Sequence, residues 1–166
     1  MIGFYENFPS AFQHVETLKC SWSNENLQKR IIRVFEDINR KTFSFEETGS
    51  PVIPDCDVIF EFGIAEKENF NFLDLAERQR LQETLDKYGF LQFLDWFCAI
   101  RYYKTGPAGK KPLRFDYYML RMSFAEKKET EVQVFHERGP RYISPEDLLT
   151  FIKNRINEKS TRKVLK

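Results

Sequence analysis

The spacing of hydrophobic and polar positions changes along this chain, and each change marks an element. From 91 to 104 the sequence is almost continuously apolar (LQFLDWFCAIRYYK). A polar segment with Gly and Pro follows at 105–112, then a second apolar run at 113–124, a charged turn at 125–130 and a short third run, EVQVFH, ending at His136. Aromatic and β-branched runs divided by turn residues read as strands. The stretch 91–136 is therefore expected to form a three-stranded antiparallel meander with a hairpin loop at 105–112. Alternation at Val58, Phe60 and Phe62 predicts a fourth strand over 57–65, placed at a sheet edge.

Helical spacing accounts for most of the rest. Leu27, Ile31, Val34, Phe35 and Ile38 form one apolar stripe behind a capping Asn24, so 24–41 is expected to be a helix. Asp74 opens a D-x-x-E box with Glu77, and Leu81, Leu85 and Tyr88 share a face until Gly89 ends a second helix over 74–88. Ser144-Pro145-Glu146-Asp147 is the strongest local signal. Ser144 can cap, Pro145 suits the first helical position and both acids face the positive end of the dipole, predicting a helix over 145–158. Phe4, Phe8, Phe12 and Val15 are also spaced as in a helix, which gives a short one at 9–18. The segment 42–56, with breakers Gly49, Pro51 and Pro54, reads as loop. The expected fold is α+β: one domain over 1–166 with a mostly antiparallel sheet of about four strands. Three to four helices pack mainly on one face, and a basic tail frays over 158–166.

Composition narrows the class. A chain of 166 residues suits a single domain, and seven Gly and seven Pro leave no low-complexity stretch. Aromatics reach 16%, with 17 Phe, which serves either a thick core or a stacking surface. The three cysteines, Cys20, Cys56 and Cys98, stand singly, with no C-x-x-C pair. Neither a disulfide framework nor a zinc knuckle follows, and a reducing, cytoplasmic location is expected. No secretory signal and no membrane span is expected. Net charge is +1, yet the halves differ: residues 1–90 hold 10 Lys/Arg and 16 Asp/Glu, whereas 91–166 hold 16 and 9. Such a division attracts either phosphate or a second copy of the chain.

Little chemistry is apparent. Only His14 and His136 are available as histidine bases, and no G-x-S-x-G elbow exists. Gly106–Lys111 fails as a P-loop, because Lys104 stands where the first Gly belongs and Lys111 where Ser or Thr belongs. Asp55 and Asp57, with Glu66 and Glu68 beyond them, offer a carboxylate set for a hard cation, and Asp116 with Glu126 and Lys128 loosely follows a nuclease pattern. Neither is specific, so no catalytic residue, metal site or cofactor is assigned, and the expectation leans against an enzyme. Basic and aromatic residues do gather on one hairpin. Arg101, Tyr103, Lys104, Lys110, Lys111, Phe115, Tyr117 and Arg121 form the candidate nucleic-acid site, with cations tracking phosphates and rings stacking bases. Alternation places Arg101 and Tyr103 on one face, with Phe115, Tyr117 and Arg121 on one face of the neighbouring strand. The leading expectation is a non-catalytic binding protein for single-stranded nucleic acid. The alternative is a homodimer or adaptor using the same sheet face, and a metal-dependent hydrolase comes third.

Overall fold

A computed structural model describes residues 1–11, 13–48, 53–125, 128–158 and 164–166. Its elements in chain order are β1 (His14–Lys19), α1 (Asn24–Ile38), β2 (Thr42–Ser44), β3 (Cys56–Glu66), β4 (Asn69–Phe72) and α2 (Leu75–Tyr88). Then come β5 (Phe93–Gly106), β6 (Gly109–Pro112), β7 (Asp116–Phe124), β8 (Glu129–Arg138) and α3 (Pro145–Asn157), with a 3₁₀ turn at Phe45–Thr48.

The sheet is twice as large as the sequence implies: eight strands, not about four. It is antiparallel and curled into a half-barrel, in the order β1-β8-β7-β5-β3-β2, with β4 added to β3 and β6 to β5. The expected meander is there as β5, β7 and β8, paired in sequence order. The extra strands come from segments whose local pattern pointed elsewhere. The first, β1, replaces the helix expected at 9–18 and pairs with β8 from His14↔Val134 to Lys19↔Glu129. Phe12 lies outside the described residues, while Phe4 and Phe8 lie against Arg121 and not on a helix face. Within the expected loop 42–56, β2 pairs with β3 (Gly49 and Pro51 lie outside the described residues). The segment 105–112 is mostly strand, since β5 runs to Gly106 and β6 returns from Gly109, leaving Pro107 and Ala108 as the turn. Nor is β3 an edge: it lies between β5 on one side and β2 and β4 on the other.

The helices form much as their caps predict. Ser23, one residue before the expected cap, accepts from Asn26 N at the start of α1. Asn39 ends that helix by bonding the main chain of β3: its Nδ2 donates to Phe62 O and its Oδ1 accepts from Phe62 N. Asp74 caps α2, and Ser144 caps α3 by accepting from Asp147 N.

Alternation divides the sheet into two faces. The inner face carries Val58, Phe60 and Phe62, then Trp96, Cys98, Ile100 and Tyr102, then Tyr118, Leu120, Met122, Val132 and Val134, all buried. Helix α1 packs here through Phe35, stacked on Phe62 and edge-on to Trp96. Helix α3 packs here through Phe151, stacked 4.9 Å from Phe60. The tail expected to fray over 158–166 is instead anchored at its end: Val164 and Leu165 are buried, and Lys19 and Lys166 exchange both main-chain hydrogen bonds. Residues 159–163 lie outside the described residues.

Candidate interaction surface

The outer face of the sheet is not covered by helices, and it is where the candidate residues must be judged. Its lower part is roofed by the first eight residues. Gly3 bonds Ala65 O through its N–H and accepts from Asp95 N, both at 2.7 Å. A side chain at Gly3 would stand 2.8 Å from Phe93 O, so only Gly lets the segment lie this close. Asp95, wholly buried, receives Arg121 at both oxygens, at 2.9 and 2.7 Å, and Tyr5 N at 2.7 Å. The Arg121 guanidinium carbon lies 4.9, 4.5 and 5.1 Å from the rings of Phe4, Phe8 and Phe93. Burial pushes the Asp95 carboxyl above its ordinary value, while the Arg121 and Tyr5 bonds pull the other way. Arg121 thus clamps the N-terminal segment onto the sheet.

Above the roof the face stays open, and its rings form a continuous row. Tyr5 lies 4.6 Å from Phe70, Phe70 lies 5.5 Å from Phe97, Phe97 lies 5.5 Å from Tyr117, and Tyr117 lies 6.5 Å from Phe115. The Arg101 guanidinium caps the row, 5.1 Å from the Phe115 ring. Tyr103, Phe97 and Tyr117 are half-buried, whereas Phe115 is 36% exposed and Phe72, on β4, 50%. Arg101, Tyr103, Phe115, Tyr117 and Arg121 therefore share a face: alternation groups them strand by strand, and the β5–β7 register brings the two groups to the same side.

The cations on this face are paired. Arg101 Nε stands 2.8 Å from Glu61, Lys110 Nζ 2.7 Å from Asp57, and Arg121 is held by Asp95. Lys104 and Lys111 are paired in register on the opposite side of the hairpin tip, exposed and, with Arg114, without an ion pair among the described residues. The candidate set is thus split between two surfaces. Phe70, Phe72 and Phe97 were not among the sequence candidates. The alternating NFNF of β4 was the signal for the first two, but four residues beside a charged loop do not announce a strand.

His136 and Asp116 do meet, and they resemble part of a catalytic arrangement without its outlet. Asp116, fully buried at the head of β7, accepts four hydrogen bonds. Tyr102 Oη and Tyr142 N reach Oδ2 at 2.6 and 2.9 Å, and His136 Nε2 and Arg141 N reach Oδ1 at 2.9 and 2.6 Å. Every lone-pair direction of the carboxylate is used. Gly139, at φ +114, passes so close that a Cβ would stand 2.5 Å from Oδ1. Cys98 does not serve as a nucleophile beside it: its thiol is buried and pushed well above its usual value by burial, and His136 packs edge-on to Tyr118. The cluster therefore anchors the 139–142 turn to β7.

The carboxylate sets do not assemble either. Asp57 is bound to Lys110, Glu66 to Arg80 and Asn71, and Glu126 lies outside the described residues. Among the described residues no three His, Cys, Asp or Glu side chains come together to hold a metal. No described helix is long and apolar enough to cross a membrane. Compared with family models, with curated proteins and with solved structures, the chain finds no match in any of the three.

Proposed function

We propose that this is a non-catalytic protein-interaction module, and that the open part of the outer sheet face binds a second copy of the chain. The observation that carries this reading is the unbroken aromatic row Phe70–Phe97–Tyr117–Phe115, extended by the exposed Phe72, on a face whose cations are already neutralised. An uncovered apolar patch is the usual mark of a partner surface. Neutral, paired charges suit a protein face better than a phosphate backbone, whose binding depends on free Lys and Arg. A self-complementary patch closes into a two-fold dimer with no further specification. Three buried free thiols suit a reducing compartment, so a cytoplasmic location belongs to the same proposal.

Single-stranded nucleic acid is a second reading, favoured by one observation. Lys104, Lys111 and Arg114 stand exposed on the same hairpin without ion pairs among the described residues. The two readings part in a photo-crosslinking experiment. A benzophenone amino acid in place of Phe115 should give a covalent dimer of the chain on irradiation, and one in place of Tyr88, on α2, should not. Crosslinking to an added oligonucleotide with no chain dimer would transfer the face to nucleic acid. No product of either kind would remove both readings.

A further inference from the structure

A second group of charges lies on the other side of the molecule, along the outward face of α1. Asn26, Arg30, Arg33, Asp37 and Arg40 recur there at helical spacing. Between α1, α2 and α3, all of these but Asn26 line a hollow of about 510 Å³, which Arg78 of α2 and Arg155 of α3 complete. Three of its cations meet carboxylates: Arg40 with Glu36 at 3.7 Å, Lys41 with Asp37 at 3.1 Å and Arg155 with Glu158 at 3.3 Å. Arg30 donates to two main-chain carbonyls at the end of α3, Ile156 O and Glu158 O, which leaves its charge uncompensated. Arg33 is exposed and has no ion pair among the described residues. Arg78 Nε is buried with no hydrogen-bond partner among them. A buried guanidinium N–H without an acceptor costs free energy. Six cations against three carboxylates leave the hollow three positive charges in excess.

Arg30 and Arg33 also line a second hollow, so the two adjoin. This one, about 620 Å³, is walled by Trp22, Ser23, Asn26 and Gln82, with Trp22 half-buried beside the start of α1. Lys29, on the same wall, is taken by Glu25 and Asp86, each 3.1 Å away. The combined shape is an indole at one end and unpaired guanidiniums at the other, in a volume that suits a small ligand. Guanidinium forks match phosphate oxygens in pairs, and an indole face takes a planar base.

We propose that this cleft binds a nucleotide, its phosphates on Arg33 and Arg78 with Arg30 behind them, and its base on Trp22. The ligand chemistry is the same whether the nucleotide is free or part of a single strand. Calorimetry at low salt with pyrophosphate, ATP and a six-residue oligonucleotide tests it. Pyrophosphate should bind, and ATP should bind about tenfold more tightly, with a change in indole fluorescence. Trp22→Leu should erase the advantage of ATP over pyrophosphate. Arg33→Gln, at an exposed position, should weaken both about tenfold, and Arg78→Gln should do the same. Binding of ATP at least as tight as that of the oligonucleotide identifies a free nucleotide, and tighter binding of the oligonucleotide identifies a strand. Three results would each overturn the assignment. One is no heat with ATP or pyrophosphate at millimolar concentration. Another is binding that Arg33→Gln leaves unchanged. The third is binding that is lost in Lys104→Gln/Lys111→Gln instead, which would relocate the site to the hairpin.

Discussion

Asp116 is the residue on which the end of the meander depends, because one carboxylate holds a tyrosine, a histidine and two backbone N–H groups at once. Its replacement by Asn puts an amide N–H₂ against donors. Asp116→Asn should lower the unfolding free energy by about 3 kcal/mol, the order expected when a buried, charge-assisted network loses its acceptor; urea denaturation measures it, and an unchanged midpoint would show that the 139–142 turn holds itself. Nothing beside Asp116 in the sequence marks this role, since its partners stand 14 to 26 positions away. Contacts of that range become visible only once strand register is known. The same neighbourhood sets a pH limit. Burial, with the bond to Asp116 second, holds the Tyr102 phenol far above its ordinary 10.0, and burial does likewise for Tyr118 and for the Cys98 thiol, ordinarily 9.0. Groups raised on folding contribute stability that is complete below their unfolded values and fades as pH climbs toward the folded ones. The contribution of these three groups should therefore be level below about pH 9, and stability should fall steeply above pH 9 to 10. The tyrosinate absorbance of Tyr102 and Tyr118 should appear together with unfolding, and its appearance in still-folded protein would contradict their burial.

At the scale of elements, those with their own punctuation were legible and those defined by a neighbour were not. The capped helices α2 and α3 begin where Asp74 and Ser144 place them. Ser144→Ala should remove about 1 kcal/mol of stability, the usual worth of an N-cap, and a denaturation curve unmoved from wild type would mean that Pro145 and the acids suffice. The short strands β2 and β4 and the edge strand β1 have three, four and six residues. Each exists because a long partner, β3 or β8, presents unpaired backbone to it, and local propensity cannot report that. The helical spacing of Phe4, Phe8 and Val15 misled for a related reason. Phe4 and Phe8 are set by the position of Arg121, which the extended N-terminal segment has to cross. The β5–β6 hairpin now has a defined tip. All residues from Lys104 to Pro112 are exposed and only Pro107 and Ala108 lie between its last paired residues, so a Gly/Ser insertion between those two should leave melting within a few degrees of wild type. A collapse of the melting transition would mean that the tip is packed.

At the scale of the whole molecule, the two surfaces of this α+β layer differ in kind. The helix side gathers unpaired guanidiniums, whereas the open sheet side gathers rings and neutralised charge. Folding brings the two halves of the sequence, one acidic and one basic, together in part, since acids of β3 meet cations of β5 and β6 across the strands. Sequence alone put Arg101 with Tyr103 on one face of their strand, and Phe115 with Tyr117 on one face of the next, since a period of two requires it; that the two faces coincide follows from the register. It left open what would cover that face, because the N-terminal roof rests on the pairing of Asp95 with Arg121, 26 positions apart. The central claim, that the open aromatic face is a contact between copies, is tested most directly by sedimentation velocity between about 1 and 100 μM, a range that spans ordinary dimer affinities. Wild-type protein should shift from monomer to dimer over that range. Phe72→Asp/Phe115→Asp, which alters only exposed rings, should stay monomeric with an unchanged thermal transition. A wild-type chain that remains monomeric at 100 μM, or a dimer that the double variant leaves intact, would contradict the account.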